Sequence, residues 1–195
     1  AGFYSAILLS LIRVICSLAL GIFAGILLGF ICHKFTVAAA IFLPIIKIVK
    51  STPVASFILL CWVLMSGDGL AIFVGFLMVM PIIYQSTYEG LDGIDKELSE
   101  VAEVFKFSAG KRLMLLTLPT LKKFLPASII TASGLAWKSV IATEIIAYTK
   151  RSIGQGINDA KYNMDTPTVF AWTVVIILFS ILLELGTKKL LRRFK

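Results

Sequence analysis

The stretch ELSEVAEVFKFSAGKRLMLLTLP, residues 97–119, concentrates charge in the middle of a strongly apolar chain. The 195-residue sequence is 58% hydrophobic, and its mean hydropathy is +0.95. Long apolar runs flank the stretch, and several exceed the roughly 18 residues that mark a membrane-spanning helix. The sequence therefore predicts a membrane protein that keeps one ordered, charged segment in water.

Five membrane spans are predicted, three before this stretch and two after it. They cover residues 7–31, 41–65, 70–86, 124–147 and 168–186, and the polar interval 87–123 separates the third span from the fourth. In a bilayer every backbone polar group must be satisfied within the protein, which favours helices. The predicted fold class is all-α, a polytopic bundle of membrane helices forming one domain over residues 1–195.

The distribution of cations predicts the orientation of the chain. The sequence has 19 Lys and Arg against 11 Asp and Glu, a net charge of +8, and the cations flank apolar runs. This pattern indicates membrane orientation rather than nucleic-acid binding. The interval 87–123 and the tail 188–195 are basic and are expected in the cytoplasm. Position 1 is then outside, and we expect a sixth span before it.

Small residues in the spans have predicted packing roles. The three cysteines show no metal-ligand or CxxC spacing, so we interpret them as packing residues. A GxxxGxxxG stripe in the first span permits close approach of another backbone. We expect packing within the subunit, with a subunit interface as the alternative. The stripe consists of Gly21, Gly25 and Gly29.

The charged stretch has the pattern of a short amphipathic helix. Apolar residues at positions 94, 98, 101, 102 and 105 share one helical face, and Asp95 is a suitable N-cap. Ser108 is expected to cap a second helix that ends at Leu118 and Pro119. The polar face carries Glu97, Glu100 and Glu103. Anionic lipid repels such a face, so a protein partner is the expected contact.

The same stretch resembles the EAA motif of binding-protein-dependent ABC importer permeases, which reads EAA, three residues, G, nine residues, I-x-L-P. Lys106 stands at the motif glycine, and Gly110, four residues later, is interpreted as a partial substitute. The remaining motif positions fall on Glu100, Val101, Ala102, Leu116, Leu118 and Pro119.

Three further segments resemble the nitrate, sulfonate and taurine group of these permeases. They are SLIRVICSLALGIFAGILLG, KSTPVASFILLCWVLMSGDG and EGLDGIDKEL, in the order that the group shows. The resemblance implies a type I importer fold and a location in the prokaryotic cytoplasmic (inner) membrane.

The resemblance also implies the function and the partners. The chain would be a non-catalytic permease subunit that forms the solute pathway by alternating access, with a small organic or inorganic anion as solute. Implied partners are ATP-binding cassette ATPase subunits that hold ATP and Mg²⁺, a second permease subunit forming a homodimer, and an extracytoplasmic solute-binding protein or lipoprotein. The residues expected to couple to the ATPase are Glu97, Glu100, Val101, Ala102, Glu103, Phe105, Lys106, Ser108, Gly110, Leu118 and Pro119.

The sequence itself argues against ATP hydrolysis by this chain. A phosphate-binding loop reads G-x-x-x-x-G-K-[ST], whereas SAGKRL has no glycine five positions before its Gly-Lys and no Ser or Thr after it. We expect no cofactor or metal on this chain. If ATP drives transport, another subunit binds it.

Polar residues inside the spans are candidates for the solute pathway, because ionisable groups there are costly. In the second span Pro53 should kink the helix, while Ser51 and Thr52 either satisfy the freed carbonyls or face a wet pathway. Lys138 is predicted to line the pathway or to form an inter-helix ion pair. Glu144 near the outer surface is expected to face a partner or to be simply exposed, and Arg13 to anchor the first span at the outer interface. The candidate pathway residues are Lys50, Ser51, Thr52, Pro53, Lys138 and Glu144.

A secondary transporter or channel working without ATP is the alternative function. Charged residues within the spans would suit it, but the amphipathic segment would then have no purpose. Binding of an ATPase subunit separates the two hypotheses.

Overall fold

The computed structural model describes residues 2–192, and over this range the regular structure is helical throughout. Position 1 and residues 193–195, the end of the basic tail, lie outside the described residues, so the sidedness expected of them does too. The predicted all-α class is confirmed. The helices are α1 (Phe3–Lys34), α2 (Thr36–Ser51), α3 (Val54–Leu64), α4 (Asp68–Asp92), α5 (Lys96–Val104), α6 (Ala109–Arg112), α7 (Leu118–Ile146), α8 (Ile153–Tyr162) and α9 (Thr166–Arg192), with a π-helical turn (Leu113–Thr117) joining α6 to α7.

The five predicted spans correspond to α1, the pair α2 and α3, α4, α7 and α9. Four segments are each long and apolar enough to cross a membrane, and the bent pair α2–α3 makes a fifth if it is one span. The predicted third span was too short, because α4 continues to Asp92 and so enters the polar interval.

The second span breaks where the sequence predicted a kink. The axes of α2 and α3 differ by 110° across Thr52 and Pro53. The carbonyl oxygen of Ile48 accepts a hydrogen bond from the Thr52 hydroxyl at 2.8 Å and from the Ser51 hydroxyl at 3.1 Å. The same carbonyl also accepts from the Thr52 amide at 3.1 Å, whereas the carbonyl that Pro53 frees is that of Val49. These hydrogen bonds therefore leave both alternatives for Ser51 and Thr52 open.

The glycine stripe of α1 lies against α4, and the two helices run parallel. At each of the three glycines, an added Cβ atom would come within 2.7 Å of an α4 side chain. Any larger residue would force the two helices apart, so the stripe serves packing within the chain. The facing pairs are Gly21 with Val79, Gly25 with Ile83, and Gly29 with Thr87.

The core lies between α1, α4 and α7. Helix α7 runs antiparallel to α4, and an added Cβ on Gly75 of α4 would meet both Ser17 of α1 and Val140 of α7. Trp137 of α7 is fully buried, and its indole nitrogen donates to the carbonyl oxygen of Ile176 in α9 at 3.2 Å. In contrast, no described residue of α9 is fully buried. One face of α9 thus remains available for lipid or another subunit.

The bundle has two ends that differ in construction. We call the end formed by the starts of α1 and α4, the end of α7, and α8 the α8 end. The opposite end, where α4 leads into α5 and α7 begins, is the α5 end.

Candidate coupling and solute-pathway sites

Helix α5 is the centre of the candidate coupling site. Its predicted N-cap is confirmed, because the Asp95 carboxylate accepts a hydrogen bond from the Glu97 backbone amide at 2.9 Å. The helix spans Lys96–Val104, so it ends just before Phe105, the last position of the predicted apolar face. Ala102 alone in α5 is fully buried, at 2% exposure. This alanine therefore packs α5 against its own chain, and its role in coupling to the ATPase stays a prediction.

The outward side of α5 combines carboxylates with exposed apolar side chains. Val104 is 77% exposed and Val101 is 47% exposed. Positions spaced i, i+3, i+4 and i+7 lie on one helical face. We call this face the α5 ridge, and it consists of Glu97, Glu100, Val101 and Val104. The sequence reasoning missed Val104, because it lies outside the apolar face drawn through positions 94, 98, 101, 102 and 105. Of that face, Ala102 is buried, whereas Leu98 and Phe105 are exposed.

The turn after α5 is closed by a Schellman motif with lysine at the glycine position. The Phe107 amide donates to the Ala102 carbonyl and the Lys106 amide to the Glu103 carbonyl, both at 2.9 Å. Lys106 has φ of 50°, the left-handed conformation that favours glycine. Gly110, in contrast, lies within α6 and has open space around it. The expectation that Gly110 substitutes for the motif glycine is therefore wrong.

The second short helix continues into the membrane instead of ending. Ser108 caps α6 as predicted, since its hydroxyl oxygen accepts from the Lys111 amide at 3.4 Å. The predicted end at Leu118 and Pro119 is wrong, because the π-helical turn joins α6 directly to α7. Pro119, which has no amide hydrogen, comes two residues after the π-helical turn, where the regular α-helical hydrogen bonding is already interrupted. The coupling segment and a core helix thus form one continuous element.

A side-chain contact also holds α6 to α5. The Arg112 guanidinium donates to the Ser99 hydroxyl oxygen at 2.7 Å. The two short helices are therefore joined by both the turn and this hydrogen bond.

The candidate pathway residues do not form one cluster. The ammonium of Lys50 at the end of α2 hydrogen-bonds the Gln85 side chain on α4, and Gln85 in turn donates to Glu89 at 2.8 Å. These groups form an exposed polar row beside the α2–α3 break. Lys138 is exposed on α7, and within residues 2–192 it forms no ion pair shorter than 4.0 Å. The predicted pairing of Lys138 with another helix is therefore not seen as a direct contact.

Glu144 is buried, contrary to the expectation that it is exposed or faces a partner. Its carboxylate accepts from the Arg13 guanidinium at 2.6 Å, and the two residues are 0% and 3% exposed. Arg13 consequently does not anchor α1 at the membrane interface; it points into the bundle. A sequence signal for this pair existed, because single opposite charges occur near the same predicted outer end of two spans.

These features define a class of protein: a multi-span helical membrane protein in which a pair of short, charged helices, α5 and α6, precedes a core span. The model of the family described as "Binding-protein-dependent transport system inner membrane component" matches residues 21–195, and the chain belongs to this family. It is therefore a multi-pass membrane permease subunit of an ABC importer, and the family implies ATPase and solute-binding protein partners on other chains.

Curated relatives agree with the family. A probable ABC transporter permease protein of Brucella melitensis is 27% identical over 86% of this chain and 68% of its own length. The taurine transport system permease protein of Escherichia coli is 25% identical, covering 94% and 67%. The nitrate import permease protein of Synechococcus elongatus is 30% identical, covering 80% and 56%. The chain thus spans about two thirds, or less, of the length of these relatives.

A solved structure supports the fold. The chain superposes on the crystal structure of an amino acid ABC transporter with histidines with a TM-score of 0.77 and 14% identity, covering 98% of this chain and 92% of the other. This similarity confirms the type I importer permease fold. The family membership also sets aside the alternative of a transporter working without ATP.

Proposed function

We propose that this chain forms an anion pathway and opens it alternately to either side, driven through the α5 ridge by a separate ATPase. The observation that carries the proposal is that α5 is joined to α6 by the Schellman turn and the Arg112–Ser99 hydrogen bond while its ridge is uncovered. The α5 end then faces the cytoplasm, in agreement with the basic residues of the interval 87–123.

The ridge has the properties of a helix that docks in a groove. A nine-residue helix is marginal in water by itself, so contacts must stabilise it. Ala102 supplies one such contact within the chain, and Val101 and Val104 offer apolar anchors on the outer side. Recognition of anchors at i, i+3, i+4 and i+7 is a recurrent mode of helix binding. Glu97 and Glu100 flank these anchors and suit a basic rim on the partner.

The connections of α5 suit it to transmit motion. The Schellman turn and the Arg112–Ser99 hydrogen bond fix α5 to α6. From α6 the chain continues through the π-helical turn into α7, which supplies Trp137 and Val140 to the core. A displacement of α5 by a partner is therefore passed to the bundle without crossing a flexible linker. Rigid-body movement of this kind is one of the known forms of switching.

The proposed solute is a small anion. Relatives include permeases named for taurine, nitrate and bicarbonate transport. On this chain, the cationic Lys50 lies in an exposed polar row at the break between α2 and α3. A broken span exposes backbone groups that only a protein-lined or wet cavity tolerates. We therefore place Lys50, Ser51, Thr52 and Pro53 at the pathway.

The proposed assembly contains two copies of this chain, two ATPase subunits that bind ATP and Mg²⁺, and a solute-binding protein outside. One face of α9 and much of α2 and α3 are exposed apolar surface, which is available for lipid and for the second copy.

The proposal is tested with the permease and its cognate ATPase reconstituted in proteoliposomes. Val104→Glu places a charge on an apolar anchor of the ridge, and Glu100→Lys reverses a flanking charge. Each is expected to weaken ATPase binding about tenfold or more, as for anchors at the centre of an interface, and to lower uptake accordingly. Asp92→Lys is the matched control, because Asp92 is also exposed at the α5 end but lies outside α5.

The three variants separate docking from general charge effects. Normal ATPase binding by Asp92→Lys together with weak binding by the two ridge variants supports the proposal. Full binding and uptake by both ridge variants would show that the ATPase docks elsewhere.

A further inference from the structure

Helix α8 is attached to the bundle through a buried polar cluster that the proposed coupling and pathway sites do not use. At its centre, the Arg13 guanidinium donates to Glu144 at 2.6 Å, and the Ser10 hydroxyl donates to the second carboxylate oxygen at 2.8 Å. Ser10 and Glu144 are 0% exposed and Arg13 is 3% exposed. We call these three residues the polar clamp. They belong to α1 and α7, so the clamp first joins two core helices.

The clamp also holds the start of α8. The Ser10 hydroxyl oxygen accepts from the Ile153 amide at 3.1 Å, and Glu144 accepts from the Gly154 amide at 3.4 Å. These amides are among the first of α8, which have no partner within the helix itself. A carboxylate at this position is also favoured by the helix dipole.

Close packing supports the same attachment. A Cβ atom on Gly154 would lie 2.4 Å from the Glu144 carbonyl carbon, so only glycine fits there. Further along α8, the Asn158 side-chain amide donates to the Ile145 carbonyl oxygen at 2.7 Å. Arg13 also donates to the Lys150 carbonyl oxygen at 3.2 Å in the loop before α8. Both α8 and the loop that precedes it are thus fixed to α1 and α7.

Arg13 forms two ion pairs, one with a buried carboxylate and one with an exposed carboxylate. Glu144 is fully buried, whereas Asp68, which accepts from the same guanidinium at 2.6 Å, is 67% exposed. An exposed carboxylate can exchange its partner for water at little cost, but a buried one cannot. The link to the start of α4 through Asp68 is therefore the replaceable one.

We propose that Arg13, Glu144 and Ser10 are positioning residues for transport, because they make α8 move with α1 and α7 as one rigid body. This inference rests on the proposed importer function. Movement transmitted through α7 from the α5 end then reaches α8 without loss. If α8 were loosened, α7 could move without moving the surface that α8 forms.

The attachment of α8 is measured by cysteine labelling of the permease–ATPase complex in nanodiscs, where both membrane faces are accessible. Cys16, Cys32 and Cys61 are replaced by alanine, and Ala160→Cys is introduced at a position of α8 that is 4% exposed. Met164→Cys, at a position 90% exposed, reports the rate of unhindered labelling.

Loss of the clamp should open α8. In the Glu144→Gln and Arg13→Gln backgrounds, labelling at position 160 is expected to accelerate about tenfold, because local opening becomes more frequent. Ser10→Ala removes one hydroxyl without leaving a charge unpaired, so it provides a milder test if the charge variants do not assemble. Lys161→Gln is the control: it removes a cation from α8 that is exposed and forms no salt bridge among residues 2–192.

A transport readout distinguishes positioning from general stability. The solute moved per ATP hydrolysed should fall in the clamp variants, whereas a smaller amount of folded protein would lower both quantities together. Labelling at the parent rate in assembled Glu144→Gln and Ser10→Ala complexes would overturn the proposal. Because labelling requires no transport, it remains readable even if the parent protein moves no solute, a result that would refute the proposed function alone.

Discussion

The two ends of the bundle each carry a short helix and glutamate side chains, but the glutamates lie in opposite environments. At the α8 end, Glu144 is buried against Arg13, and a short helix is held by hydrogen bonds from two core helices. At the α5 end, Glu97 and Glu100 lie in solvent beside exposed valines on a helix of nearly equal length. The glutamate at the α8 end accepts hydrogen bonds from its own chain, whereas the glutamates of the α5 ridge are exposed and can contact another protein.

The difference shows where partners are expected. Buried charges persist only where they are paired and hydrogen-bonded, so the polar clamp at the α8 end is satisfied within the chain. Exposed apolar side chains in a charged segment indicate a surface that another protein covers. The α5 ridge therefore depends on another protein, whereas the clamp does not.

The largest expected effect is on stability at the α8 end. Glu144→Ala leaves the Arg13 charge buried without its partner, which should lower the free energy of unfolding by about 3–5 kcal/mol. Glu100→Ala, the matched change on the ridge, should change it by less than about 0.5 kcal/mol. Thermal unfolding of the purified permease in detergent measures both. Equal effects of the two variants would contradict the contrast between the ends.

Glycine-to-alanine changes should have opposite signs at the two ends. Gly154→Ala creates a clash with the backbone of Glu144, and overpacking of this kind costs about 1–3 kcal/mol. Gly110→Ala lies in α6 with open space around it, so the better helix former should stabilise the segment by about 0.5–1 kcal/mol. The same thermal unfolding assay measures both variants. Destabilisation by Gly110→Ala would contradict the open space around Gly110.

The turn after α5 is expected to improve when its glycine is restored. Lys106 adopts φ of 50°, a conformation that costs a residue with a Cβ atom about 1–2 kcal/mol. Lys106→Gly should recover part of this cost and order the C-terminus of α5. Hydrogen exchange of the Phe107 amide, which closes the Schellman turn, is expected to slow. Faster exchange would indicate that the lysine side chain supports the turn in another way.

The smallest effect is a pH dependence confined to the loop between α8 and α9. Hydrogen bonds from the Thr168 hydroxyl and amide hold the pKa of Asp165 below its ordinary value of 3.8. A lowered folded-state pKa means that the stabilisation is present above pH 3.8 and is lost as the pH falls through the folded-state value. Asp165→Asn should therefore flatten the acid limb of the stability profile. An unchanged limb would show that this aspartate does not contribute.

Local patterns predicted much of the fold because they depend on neighbouring residues. The apolar runs, the Pro53 break and the caps Asp95 and Ser108 all follow from composition or short spacing. The EAA-like stretch likewise predicted the family, which the match over residues 21–195 confirmed. Element ends were less accurate: the helix expected to stop at Pro119 continues, because a π-helical turn accommodates the proline.

What the sequence by itself determined is the class of protein: an all-α membrane permease whose one charged helix pair stands between core spans. Hydropathy and helical periodicity act over a few residues, so they can be read without knowing what packs against what. Only the tertiary structure decided that Glu144 meets Arg13, that Ala102 faces inward and that Val104 faces outward. Those outcomes depend on how helices distant in sequence dock, since burial and charge pairing are properties of the contact between helices and not of either helix alone.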